Sequence, residues 1–481
     1  MMRHEYAAAD APRFDSCPEN RKGTDMLRKI LGIVFVSTVM FAGDTLAANW
    51  FALQNNEPTD AKPYTFWGFI QPQYVHNQGG AVNGMAAPAQ VQGYNGQPAV
   101  FNLVGPDADH SSEFQLLRAR AGVRGVVPGS DNAINYFVLT EFGNNGLTRE
   151  KRAVFTDVSL NFSYIPGARV RAGLGRLPLG EEALQGIQVL DYINFTNATD
   201  NLLNERFVSP YVTTRPTAPV LGVPMGSSRM VGAVSGFQDV GIEVYDWFVK
   251  DQWELSYAVM LSNGNGINFS DSNGKKDTTL HLRVAQVLDG KGARREEVMA
   301  YVWHQDGMRT FSGSDYKRVR EGIGFRYFEN PWRISGEYLR GNGMIFIGPS
   351  PPFNDVGGGA FEPVTLMALQ SSNKVDGHYL DVGWKVSPQW EADVRYDRLN
   401  RLTNSAFDER IFTTWTLGAQ YFYRPQLRMT ANYEMRSLKV AYPGTTGSSG
   451  TPPAQQVQLT NARIIGDSMG NRFSVQLTYI F

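Results

Sequence analysis

From Arg472 to Phe481 the chain alternates without a break: Phe473, Val475, Leu477, Tyr479 and Phe481 share one face, while Arg472, Ser474, Gln476 and Thr478 share the other. Successive side chains of a strand point to opposite faces, so this segment reads as a strand with one apolar and one polar side. A lone strand of this kind suits a soluble sheet as well as a membrane barrel. What constrains the fold is repetition. About sixteen such segments recur, at residues 64–75, 114–127, 133–142, 154–164, 168–177, 238–248, 253–261, 278–288, 297–305, 318–328, 332–340, 377–386, 389–399, 411–423, 427–438 and 471–481. Each is close to the roughly 9–11 residues that a tilted strand needs to cross a bilayer. The third and ninth are the least regular.

The connections obey a parity. After even-numbered segments they are tight and turn-like: Pro128-Gly129-Ser130-Asp131, Pro166-Gly167, Lys250-Asp251, Asp289-Gly290-Lys291-Gly292, Asn330-Pro331, Ser387-Pro388 and Arg424-Pro425. After odd-numbered segments they are mostly long and rich in Gly, Asn, Ser and Pro, as at 79–111, 263–276, 343–373 and 441–470. Short turns on one side and long loops on the other predict an all-β fold, a transmembrane antiparallel up-and-down β-barrel of about 16 strands over residues 64–481. An even strand number puts both ends of the barrel on the periplasmic side, with 48–63 as a short periplasmic segment. The longest connection, 178–235, follows the fifth segment. A structureless loop of that length is uncommon unless it is functional. In a barrel wide enough to be open, it predicts a constriction loop folded inward.

The amino terminus supports export. Met26-Leu27-Arg28-Lys29 and the apolar run from Ile30 to Ala42 have the order of a signal peptide, and Thr45-Leu46-Ala47 offers a small-residue cleavage site. We read 26–47 as that signal and 1–25 as an upstream extension that precedes the true start at Met26. The rival reading, an uncleaved anchor, needs about 20 apolar residues and the run is shorter. No second apolar stretch after Ala47 is long enough for a membrane helix, and the mean hydropathy of −0.30 agrees. Any membrane spanning must therefore use strands. The one cysteine, Cys17, lies upstream of the signal, which leaves the mature chain without disulfides, thiol catalysis or Cys-based zinc sites.

Net charge is −1, and no Lys/Arg run points to a nucleic-acid partner. The composition of the cations is more telling: from Ala48 onward there are 29 Arg and 10 Lys. Alternation assigns their face. In Leu117-Arg118-Ala119-Arg120-Ala121-Gly122-Val123-Arg124, the arginines Arg118, Arg120 and Arg124 oppose Leu117, Ala119, Ala121 and Val123. An Arg facing lipid near the midplane costs roughly 2–4 kcal/mol, so the arginines are expected to face the lumen. The same reading turns inward Arg169 and Arg171; Arg283 with His281; Arg318, Arg320 and Arg326; and Arg428 with Arg436. Such a wall concentrates anions. A blander reading stands beside it: Glu391, Asp393, Arg395 and Asp397 share one face, as do Asp157, Ser159 and Asn161, and lumenal arginines paired with acids would only stiffen a weakly selective pore. Trp390, Tyr396, Trp415, Tyr421, Tyr423 and Tyr479 are expected outward, as interface girdles.

Catalytic signatures are sparse. The six histidines have no metal-ligand spacing, Gly173-Leu174-Gly175 lies within a strand rather than a strand-to-helix turn, and no G-x-S-x-G occurs. The expectation is a channel and not an enzyme, with no cofactor and no metal; an outer-membrane hydrolase assembled from distant loops stays open as an alternative.

Taken in order, Leu117-Arg118-Ala119-Arg120, Gly175-Arg176-Leu177-Pro178, Glu205-Arg206, Asn263-Gly264-Asn265-Gly266 with Lys276-Asp277, Gly377-His378-Tyr379 and Arg395-Tyr396-Asp397 resemble the phosphate-selective porin O and P family. The resemblance covers most of the mature chain loosely. It implies a homotrimeric, 16-stranded outer-membrane channel for small anions such as phosphate, narrowed by the loop after the fifth strand. That loop carries Arg206, Arg215 and Arg229, but also Glu181, Glu182, Asp191, Asp200 and Glu205. Unpaired carboxylates there would repel a dianion.

Overall fold

A computed structural model describes residues 49–481 apart from 59, 85–111, 146, 149–152, 205–236, 268–269, 272, 291, 312–313, 344–345, 350–364, 369–371 and 443–452. The expected signal peptide and upstream extension, and the loop residues Glu205, Arg206, Arg215 and Arg229, lie outside the described residues.

Sixteen antiparallel strands close into one barrel. They are β1 (Thr65–Asn77), β2 (Ser112–Val126), β3 (Ile134–Glu141), β4 (Val154–Phe162), β5 (Arg169–Arg176), β6 (Gln238–Lys250), β7 (Trp253–Ser262), β8 (Asp277–Asp289), β9 (Glu296–Phe311), β10 (Ser314–Glu329), β11 (Trp332–Asn342), β14 (Lys374–Lys385), β15 (Trp390–Arg401), β16 (Arg410–Arg424), β17 (Leu427–Val440) and β18 (Arg472–Ile480). Between β11 and β14, β12 (Phe346–Pro349) and β13 (Thr365–Ala368) pair with each other outside the barrel sheet. Each barrel strand pairs with its neighbours in sequence order, and β1 closes the ring on β18 through pairs such as Tyr74↔Val475 and His76↔Phe473. Closure leaves no backbone edge to face hydrocarbon.

All sixteen expected segments are barrel strands. The largest difference is at β9 and β10, which continue pairing out to Phe311 and Ser314 where a longer connection was expected. Beyond the apolar band both faces of these strands carry polar residues, such as Asp306, Arg309, Thr310 and Asp315, so period-two alternation no longer marks them. The connection after β17 also carries a helix, Pro453–Asp467, which packs Leu459, Ala462 and Ile465 inward. Among the described residues, no helix is long and apolar enough to cross a membrane.

The two faces differ as the alternation demands. Outward positions leave large apolar side chains uncovered, including Ile242, Leu255, Leu280, Leu282, Ile323, Phe325, Leu380, Leu417 and Leu477. A continuous band of this kind is stable only against hydrocarbon, and it defines a transmembrane barrel. Near the short turns Trp332 stacks on Trp384 with centroids 5.9 Å apart, and Trp390 meets Tyr421 at 4.8 Å. Of the expected girdle residues, Trp390, Trp415 and Tyr423 are exposed, while Tyr396, Tyr421 and Tyr479 are half-buried. Replacing Leu282 with Arg is therefore expected to lower folding stability in vesicles by about 2–4 kcal/mol, measured by urea titration; a loss below about 0.5 kcal/mol would mean that this face does not meet lipid.

One parity assignment is corrected. Leu117, expected outward with Ala119, is buried at 1% exposure. The register slips between Gln71, which pairs with Arg118, and Pro72, which pairs with Leu116. Pro72 has no N–H for the ladder, and the resulting bulge leaves Leu117 unpaired and shifts the pattern by one residue.

Candidate functional site

The barrel's inner face is built from the other half of the alternation, and it is charged. All eleven arginines assigned to it from the sequence point away from the lipid side: Arg118, Arg120, Arg171, Arg283, Arg318, Arg320, Arg326 and Arg428 are buried, and Arg124, Arg169 and Arg436 are half-buried. Their partners were not foreseen. Arg120 Nε donates to Glu141 Oε2 at 2.7 Å, and Glu141 also accepts the N–H groups of Ala119 and Gly143. Arg171 pairs with Glu243 at 2.9 Å, Arg283 with Glu297 at 2.7 Å, and Arg326 with Glu181 at 3.6 Å. Arg124 meets Glu57, and Arg169 meets Asp246 while lying over the Trp247 ring at 4.0 Å. Arg318 donates to Gln305 Oε1 at 2.6 Å, and Arg320 to the carbonyls of Leu202 and Asn342.

Other arginines share this role. Arg333 sits among four carboxylates, contacting Asp393 at 2.6 Å, Asp191 at 3.2 Å, Glu391 at 3.4 Å and Asp381. Arg295 bridges Glu254 and Glu297 at 3.0 Å from each through separate nitrogens. The alternation of Arg333, Ser335 and Glu337 against Trp332 and Ile334 carried the signal for Arg333. Arg295 lies in a turn and carried none. Arg118, Arg176, Arg410 and Arg428 differ: they donate to carbonyl or amide oxygens and pair with no carboxylate among the described residues.

The connection after β5 runs through this interior from Leu177 to Asn204, and nearly every residue of it is buried. It begins with α2 (Glu181–Leu184), a single turn whose carbonyls, with that of Gln185, accept from Arg176. The Leu179 carbonyl accepts from His281 Nδ1 on β8 at 3.0 Å, and Glu181 N donates to Tyr301 on β9. Glu182 takes Arg395 of β15 at 3.1 Å, Ile193 N donates to Asn432 of β17 at 2.8 Å, and Asn197 N donates to Asp397 at 2.8 Å. Arg118 on β2 holds the Ile193 carbonyl, and Arg320 on β10 holds that of Leu202. β2 and β10 stand eight places apart in a ring of sixteen, so the segment crosses the bore from wall to wall. Apolar side chains pack at its contacts: Leu179, Ala183, Ile187, Phe195 and Leu202 lie against inward Met260, Met299, Trp303, Leu339 and Phe412. Burial disfavours the Asp191 carboxylate, but Arg333, Arg294, Arg326 and Arg428 outweigh it and hold its pKa down to about 2.

Residues 48–63, expected as a short periplasmic segment, are described from Asn49, and Trp50, Phe51 and Ala52 of their helix α1 (Trp50–Asn55) are buried against the inner face of the barrel. Among the described residues, no group of three or more His, Cys, Asp or Glu is arranged to hold a metal ion.

A closed sixteen-stranded membrane barrel, with a charged interior crossed by its own loop, is the class these features define. No protein-family model matches the chain, and no curated protein does either. Solved structures similar to it include the anion-selective porin from Comamonas acidovorans (13% identity, 88% of this chain and 100% of that one, TM-score 0.47). Salmonella typhi OmpF in complex with daunomycin aligns at 11% identity over 87% of this chain and 97% of that one, with a TM-score of 0.48. The outer membrane channel DcaP of Acinetobacter baumannii aligns at 10% identity over 89% and 99%, with a TM-score of 0.45. At these values the likenesses carry no functional weight, and the interior itself has to supply the reading.

Proposed function

We propose that the protein is a passive outer-membrane porin for small hydrophilic solutes, with a preference for anions. The observation that carries the channel reading is the loop at 177–204, tied by hydrogen bonds to opposite walls of the bore. A segment fixed in that way narrows a water-filled barrel without severing it, and field and size then decide what passes. The anion preference is supported by Arg118, Arg176, Arg410 and Arg428, which donate to carbonyl or amide oxygens and form no ion pair with a carboxylate among the described residues. Phosphate as the solute and a homotrimer as the assembly rest on the family resemblance. Export through the signal at 26–47 belongs to the same proposal, as does action without a cofactor.

A second reading, a weakly selective pore, is favoured by the charge balance. Among the described residues 15 Arg are buried, against 18 Asp and Glu. Reversal potential in planar bilayers under a salt gradient separates the two. Anion preference predicts a potential displaced toward the anion equilibrium value; a potential near zero supports the weakly selective pore, and one of opposite sign refutes the anion reading. Absence of conductance from a folded barrel would end both.

A further inference from the structure

We propose that α1 is a plug at the short-turn end of the lumen and, with α2, sets how much the channel conducts; this rests on the channel reading above. The helix is six residues long, too short to hold its form alone in water, and its shape depends on where it sits. Asn49 caps it by accepting from Phe51 N, and the same side chain donates to Ser256 Oγ at 2.8 Å and to Glu254 Oε1 at 3.3 Å on β7. Phe51 packs edge-on to His281 of β8 at 5.4 Å and against Tyr245 of β6 at 6.1 Å. Across the bore, Arg124 of β2 donates to the Leu53 carbonyl and pairs with Glu57. β2 lies four to six places around the ring from β6, β7 and β8, so the helix spans a chord of the barrel.

The helix is also joined to the inward loop. Trp50 Nε1 donates to Glu181 Oε1 at 2.8 Å, and Gln54 donates to the Leu184 carbonyl. Trp50 and Phe51 share one apolar cluster with Leu184, Tyr245 and Ala258. The two short helices thus form a single obstruction, half supplied by the loop and half by the chain's amino-terminal side. Residues 56–64 link the α1 half to β1 and span about 30 Å when extended, enough to let it leave the bore. An α-helix with its side chains is about 10–12 Å across, a large share of a sixteen-stranded lumen.

The test is single-channel conductance in planar bilayers of the parent protein and two variants: one lacking residues 49–55, the other carrying Trp50→Ala with Phe51→Ala. Heat-dependent gel mobility verifies that each barrel is folded. The deletion is expected to raise conductance about twofold or more, and the double substitution to raise it less, with more frequent switching between levels. The substitution pair retains the backbone and covers the case in which the deletion does not fold. Folded variants that conduct like the parent overturn the plug and leave the porin reading standing. Folded barrels that conduct in no form overturn both.

Discussion

Replacing Arg333 with Met should cost the barrel about 3–5 kcal/mol, the loss that follows when one partner of a buried ionic group is removed. The guanidinium is enclosed on β11 by Asp191, Asp381, Glu391 and Asp393, with its side chain at 3% exposure. Without it, Asp381 and Asp393 would stand buried near each other across the β14–β15 pair, while Asp191 and Glu391 would keep their ion pairs to Arg294. Urea titration of the refolded barrel in vesicles measures the loss. Adding Asp381→Asn and Asp393→Asn should recover much of it, because the stranded charges leave with their counter-ion. A loss under about 1 kcal/mol for the single substitution would show that water reaches and screens the cluster, as it does for surface pairs.

Arg118 and Arg120 should give opposite phenotypes although they share a strand and a face. Arg118 donates to Gln71 Oε1 and the Ile193 carbonyl, so Arg118→Gln removes a charge and strands no acid. A unit charge about 6 Å from an ion in water is worth ~0.7 kcal/mol, a factor of roughly three in relative permeability. The reversal potential should shift toward zero by the equivalent amount with the barrel intact. Arg120→Gln instead leaves Glu141 fully buried and should destabilise the fold by about 3–5 kcal/mol before selectivity can be read. An unchanged reversal potential in the Arg118 variant would remove the arginines without an ion-pair partner among the described residues as the source of anion preference.

Strand positions were legible in the sequence because a membrane barrel repeats one simple pattern, and lipid punishes departures from it. For the same reason Arg318, Arg320 and Arg326 could be placed inward from their neighbours Ile323 and Phe325 alone. Partners were not legible. Arg120 meets Glu141 only through the β2–β3 register, and Arg333 meets Asp393 across two strand boundaries. The bulge at Leu117 was hidden because Pro72, its cause, sits on a different strand. α1 was missed for another reason: Trp-Phe-Ala-Leu-Gln-Asn has no alternation, and the groups that hold it lie as far as 207 residues away.

The β1–β18 seam bears on how this chain can be damaged. A premature stop anywhere before Arg472 removes the staple between the first and penultimate strands and bares two rows of amides to hydrocarbon. Losing the stretch from Arg472 to Phe481 would then be as ruinous as losing half the barrel, since neither product could close its ring.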